Sequence, residues 1–159
     1  MVSVCFVCLG NICRSPTAAG VMRQLVLQAG LESHIVVDSA GTSGYHIGDP
    51  PDRRARAAAL ARRIDISHHA RQFKRADFAR FQYVLAMDAD NLDDLNELAR
   101  GLELPGRLAL LRSFDREAPP QAAVPDPYYG GEDGFEHVLD LCTAACKGLL
   151  EVIRREHGL

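Results

Sequence analysis

The chain has 159 residues, 47% hydrophobic and 25% charged, which is enough for one globular domain with its own core and too short for two. A formal charge of −3 argues against a nucleic-acid partner, whose binders carry a basic face, so attraction for an anion has to be local. No apolar run is long enough to span a membrane and no leader pattern opens the chain, which disfavours a membrane or secreted protein; the five cysteines, an odd set, read as thiols of a cytoplasmic protein.

Val2 to Val7 is an apolar run of strand length. It leads into Cys8-Leu9-Gly10-Asn11-Ile12-Cys13-Arg14-Ser15, which Pro16 closes. A cysteine and an arginine at this spacing can end a loop whose backbone N–H groups point inward, an anion nest prolonged by the N-terminus of the next helix. Arg14 could grip two phosphoryl oxygens with its planar guanidinium, which a lysine ammonium cannot do. The same positive field acts on Cys8, and the thiolate is the nucleophilic form of that side chain. Gly10 and Asn11 are residue types that readily take positive φ, as a loop turning its amides inward requires. Ser15-Pro16 reads as N-cap and first helical residue, with the Ser15 hydroxyl placed to hydrogen-bond the Cys8 sulfur.

A helix is expected over about Pro16 to Ala29, with Val21, Leu25 and Leu27 among its apolar positions and Gly30 as its stop. Ile35 to Val37 reads as the second strand and Thr42 to Pro51 as a loop punctuated by glycine and proline. Alanine and arginine favour a helix from Asp52 to about Arg63, with Arg53, Arg54, Arg56, Arg62 and Arg63 mostly on a solvated face. Tyr83 to Met87 is the third strand, Asp90 to Arg100 a helix and Leu108 to Leu111 the fourth strand. A long proline-rich loop precedes a final helix from about Phe135 to His157, whose Cys142 and Cys146 share a buried stripe, while Cys5 reads as strand core. The alternation predicts an α/β fold, a single domain over residues 1–159 with an open parallel four-stranded sheet, helices on both faces and the phosphate-binding loop after the first strand. Ligands of such sheets sit beyond the carboxyl ends of the strands at a topological switch point, and the Cys8 loop leaves the first strand at that end.

Asp126 lies in a proline-flanked loop that could hold a carboxyl over the cradle, although Asp-Pro is also a common turn dipeptide. Tyr45, in the loop between Gly44 and Gly48, could stack on a substrate ring or simply be exposed. His68 and His69 have no metal-ligand spacing and no cysteine–histidine cluster suggests zinc, so neither metal nor cofactor is expected.

Cys8 to Pro16, Asp38-Ser39-Ala40-Gly41-Thr42-Ser43-Gly44-Tyr45 and Val124-Pro125-Asp126-Pro127-Tyr128-Tyr129-Gly130 together resemble the low-molecular-weight protein tyrosine phosphatases over nearly the whole chain. The resemblance implies hydrolysis of phosphotyrosine in proteins, and of small aryl phosphates, through a phosphocysteine intermediate. It implies Cys8 as nucleophile and Arg14, with the amides of Leu9, Gly10, Asn11, Ile12 and Cys13 and with Ser15, as the phosphate site. Asp126 falls on the general acid, protonating a phenolate that would otherwise leave at a pKa of about 10. Tyr45, Tyr128 and Tyr129 fall on pocket walls, and His46 and Ile47 sit where the family varies and substrate preference would lie. Asn11, Ser15, Ser39 and His68 fall on positions that support the loop. Cys13, in the same tight loop as Cys8, is expected to trap an oxidised Cys8 as a disulfide. The expected partner is a phosphotyrosine-bearing protein, with a tyrosine kinase as counterpart, for a chain acting as a monomer or weak dimer.

Two other readings stand beside this one. A thiol-dependent arsenate reductase of the same fold needs further cysteines to pass a disulfide along, and none lies between Cys13 and Cys142. A phosphotyrosine-binding module without turnover has no use for a nucleophile, an arginine and an acid together.

Overall fold

β1 (Val2–Cys8) is buried at every residue but Ser3, the pattern of a parallel strand covered on both faces. The computed structural model, which describes residues 1–128, 131 and 133–159, places it inside a four-stranded sheet. The order is β2-β1-β3-β4, where β2 is Ile35–Gly41, β3 Tyr83–Ala86 and β4 Arg107–Leu110, and every pairing is parallel. The chain moves to one side of β1 to make β2 and to the other to make β3 and β4. The switch point therefore lies between the carboxyl ends of β1 and β3.

Alternation along the strands divides the interior in two. Val4 and Phe6 of β1 and Leu85 of β3 face a core built with α1 (Arg14–Gln28), α2 (Arg53–Ala61) and α4 (Asp133–His157). Cys5, Val7, Val84 and Ala86 face a second core with Phe73, Phe78, Phe81 and Leu95, the last from α3 (Ala89–Leu98). α4 contributes a continuous stripe of Phe135, Val138, Leu139, Cys142, Cys146, Leu149 and Ile153. Each large apolar side chain so buried stabilises the fold by about 1.5–3 kcal/mol relative to exposure. Among the described residues no helix is long and apolar enough to cross a membrane.

Four local expectations are corrected. α1 begins at Arg14 rather than Pro16, and its N-cap is Cys13, which makes no side-chain capping bond; Ser15 is inside the helix, its hydroxyl turned to the loop. β2 runs on to Gly41, because its polar Asp38 and Ser39 lie where the strand end meets the loop after β1. Leu27 is exposed, and 3-10 turns at Arg75–Ala79 and Leu111–Phe114 join the expected elements. Arg54 and Arg62 are not merely solvated. Arg62 pairs with Glu136 at 2.6 Å and Asp140 at 2.8 Å, fastening α2 to α4, and Arg54 covers the rings of Tyr128 and Phe135.

The register also shapes the site. Cys8 is level with Gly41, where an added Cβ would sit 2.6 Å from the Leu9 carbonyl oxygen. Only glycine lets the end of β2 approach the loop this closely. Thr42 and Ser43 then donate their N–H groups to the carbonyls of Cys8 and Leu9 at 2.8 and 2.9 Å.

Candidate active site

The loop from Cys8 to Arg14 turns its carbonyls outward. Besides Thr42 and Ser43, Asp52 N–H bonds the Ile12 carbonyl at 2.7 Å, His68 Nε2 lies 3.0 Å from the Asn11 carbonyl, and Thr17 bonds the Cys13 carbonyl through both N–H and hydroxyl. The amides face the other way. Asn11 N–H points to Cys8 Sγ at 3.3 Å, and those of Gly10, Ile12, Cys13 and Arg14 have no acceptor among the described residues. Unpaired amides converging at a helix N-terminus form an anion site.

Asn11, at φ 58°, makes the left-handed turn of this loop. Gly10 does not adopt positive φ, contrary to expectation; it is small because a Cβ there would sit 3.0 Å from the His46 ring. The Asn11 side chain is fully buried and satisfied at both ends. Its amide nitrogen donates to Ser15 Oγ at 2.8 Å and Ser39 Oγ at 3.0 Å, and its oxygen accepts from Arg71 N–H at 3.0 Å. Hydrogen directions follow from this. The Asn11 carbonyl requires the proton on His68 Nε2, so Nδ1 accepts from Ser39 Oγ 3.5 Å away. Ser15 Oγ, already accepting from Asn11, is free to donate to Cys8 Sγ at 2.9 Å. Burial holds the His68 pKa below its ordinary value, against the opposing effect of the Asn11 carbonyl, and keeps the ring neutral as this arrangement needs.

Arg14 is 3% exposed. Its Nη1 donates to Asp88 Oδ2 at 2.5 Å and to the Val124 carbonyl at 3.1 Å. Burial opposes its charge, but the Asp88 hydrogen bond and the nearby Cys8, Asp88 and Asp126 charges outweigh that and raise its pKa. Nη2 lies 3.9 Å from Asp126 Oδ2. Asp126 turns its other oxygen to the Tyr128 N–H at 2.9 Å, an Asx turn that points the carboxyl at the cleft. Val124 N–H bonds the Met87 carbonyl at 2.7 Å, so this loop is anchored to the end of β3 two residues before the acid.

The cleft above the cradle has a volume of about 470 Å³, with Cys8 and Arg14 in its floor and Tyr45, His46, Asp126 and Tyr128 around it. Tyr45 is 86% exposed and meets His46 edge to face at 4.8 Å; His46 in turn reaches Asp49 Oδ2 at 3.0 Å. Tyr129, the remaining expected wall, lies outside the described residues. All five cysteines are free thiols, and among the described residues no group of histidine, cysteine, aspartate and glutamate side chains could hold a metal ion.

Low molecular weight phosphotyrosine protein phosphatase is the description of the family model that matches residues 3–158. The chain belongs to this family. A low molecular weight phosphotyrosine protein phosphatase of Pongo abelii is 46% identical over 150 residues, 94% of each chain. Among solved structures, a protein tyrosine phosphatase from Entamoeba histolytica is 36% identical and superposes with a TM-score of 0.88 over 99% of each chain. A Drosophila arginine phosphatase is 29% identical, with a TM-score of 0.88 over 95% of this chain and 97% of its own.

Against this family background, sequence reasoning missed Asp88 and Arg54. Asp88 is the N-cap of α3, its Oδ1 accepting Asn91 N–H at 2.8 Å while Oδ2 holds Arg14. The signal was present, since an acid directly after the third strand stands at the switch point opposite the Cys8 loop. Arg54 had no such signal. It donates to the Tyr128 carbonyl at 3.3 Å and pairs with Asp52, linking the cradle's supports to the cleft wall.

Proposed function

We propose that this chain hydrolyses phosphotyrosine in proteins, and small aryl phosphates, through a phosphocysteine intermediate. The observation that carries the reading is the cradle: unpaired amides, the Cys8 thiol and the Arg14 guanidinium around one cleft, with the Asp126 carboxyl at its edge.

The Cys8 thiolate attacks phosphorus in line, forming the S–P bond as the P–O bond to the aryl group breaks. Arg14 Nη2 and the loop amides hold the equatorial oxygens, and protonated Asp126 gives its proton to the departing phenolate. Water then attacks the phosphocysteine while the Asp126 carboxylate takes its proton, and the sulfur leaves as thiolate, stabilised by the Ser15 hydroxyl at 2.9 Å. Tyr45, His46 and Tyr128 form the wall against which the tyrosyl ring lies, and Asn11, Ser39 and His68 hold the loop's shape. We take the working unit to be a monomer or weak dimer, and the five free thiols suit the reducing cytoplasm. The substrate's phosphoryl group comes from a tyrosine kinase, which makes such a kinase the counterpart reaction.

Replacement of Cys8 and Asp126 tests this. Cys8→Ser abolishes turnover but retains vanadate binding. Asp126→Asn loses about 10²–10⁴-fold with phenyl phosphate and far less with an activated nitrophenyl ester, which needs no proton. Equal losses on the two esters would remove Asp126 as the acid. Phosphoarginine and phosphoserine peptides in the same assay separate this activity from others on the same fold, with phosphotyrosine expected to be preferred.

A further inference from the structure

A second hollow of about 650 Å³ adjoins the cleft, and Leu9, Arg14 and Asp126 line both. Its outer wall is the first two turns of α3, where Asp90, Asp93 and Asp94 are exposed on one face at i, i+3 and i+4. Among the described residues none of the three has a cationic partner. Like charges at this spacing repel one another. Asn91, between them, lines the hollow while only 2% exposed, and its side-chain oxygen has no hydrogen-bond donor among the described residues. A buried unpaired amide oxygen is costly and asks for a donor.

Arg14, the one cation among the described residues of the lining, is held by Asp88 on one side and faces the phosphoryl position on the other. The rest of the hollow's polar lining is dominated by carboxylates. Its complement is a cation rich in N–H donors. The carboxylates do not converge as a metal ion requires among the described residues, but a planar guanidinium on a flexible stem can bridge two carboxylates and still donate to an amide. Because the hollow opens into the cleft, a chain anchored by its phosphotyrosine would bring its own neighbouring side chains there.

We propose that this hollow is a subsite for a basic side chain, arginine above all, flanking the phosphotyrosine of the substrate. The proposal rests on the phosphatase reading above and adds the class of peptide. Phosphotyrosine peptides differing in one residue, arginine, glutamine or glutamate, scanned through three positions on either side, give its test by kcat/KM, with phenyl phosphate normalising each protein. At low ionic strength arginine at its best position exceeds glutamine by about 3–10-fold, and the advantage shrinks as salt rises. In Asp93→Asn/Asp94→Asn it falls below about twofold, and in Asp93→Lys/Asp94→Lys glutamate becomes the preferred neighbour. These side chains are exposed, so the variants fold. Equal rates for arginine and glutamine at every position, or a preference that survives both double variants, overturn the subsite while leaving hydrolysis in place. A preference abolished by millimolar magnesium but not by matched potassium chloride assigns the hollow to a metal ion and also overturns it. Hydrolysis of no peptide would overturn the catalytic reading and the subsite with it.

Discussion

Asp88 shows how much one side chain can carry. One carboxylate oxygen caps α3 and the other fixes Arg14, so two substitutions separate the roles. Asp88→Asn keeps the N-cap through its one amide oxygen but turns the amide nitrogen, a donor, toward the buried guanidinium; it lowers the urea midpoint and reduces kcat/KM on phenyl phosphate by about 10–100-fold. Asp88→Ala loses the cap as well, and is less stable than Asp88→Asn by a further ~1 kcal/mol. Similar activity in all three proteins would show that Arg14 is positioned by the Val124 carbonyl alone. The thiols offer a second separation. Burial, then the charges of Asp52 and Cys8, push Cys13 up to about 12, and burial pushes Cys142 up to about 12 and Cys5 and Cys146 well above their ordinary values. Iodoacetamide at neutral pH should label Cys8 and spare the other four, with phosphate protecting, as peptide mapping would report. After peroxide converts the Cys8 thiol to a sulfenic acid and water, Cys13 can displace hydroxide to close a disulfide. That step should quicken with rising pH, and Cys13→Ser should go on to higher oxides that dithiothreitol does not reverse. A pH-independent rate would remove Cys13 as the attacking thiol.

At the scale of elements, the supports of the cradle are themselves titratable. His68, between Ser39 and the loop carbonyl of Asn11, has its pKa held below the ordinary 6.5, chiefly by burial. The unfolded chain therefore binds the proton more readily, so stability is present above about pH 6.5 and is lost as pH falls through the folded value. His68→Gln should be less stable than wild type at pH 7.5 and flatter on the acid side, measured by urea midpoints from pH 7.5 to 5; an unchanged slope would assign the loss to other groups. The elements were legible where the local signal was strong: the strands and three of the main helices follow from their apolar patterns, and α2 from its alanine and arginine content. Their ends were not. β2 continues through Asp38 and Ser39, which look like a loop until the burial of Ser39 against Asn11 is known. α1 starts two residues early because its first amides are reserved for the cradle rather than for a side-chain cap. Within the site, Cys8, Arg14 and Ser15 were readable because they are close in sequence. Arg54 at Tyr128 was not, since such a pair exists only once α2 and the distant loop have met.

Across the whole molecule the two cores meet at the central strands β1 and β3, and the cleft lies where those strands end. The cradle closes within a few residues, but the loop bearing Asp126 is held by the bond from Arg14 to the Val124 carbonyl, whose partners are 110 positions apart. That bond has a temporal consequence. Contacts so distant in sequence form late, because the entropy of closing the intervening chain has to be overcome before they are rewarded. During refolding, vanadate affinity should recover ahead of phenyl phosphate turnover, and simultaneous recovery in stopped-flow measurements would mean that the acid loop docks with the sheet itself. A newly made chain would then pass through an interval in which it captures a phosphoryl group but hydrolyses poor leaving groups slowly, acting as a transient trap for phosphotyrosine before it becomes a catalyst.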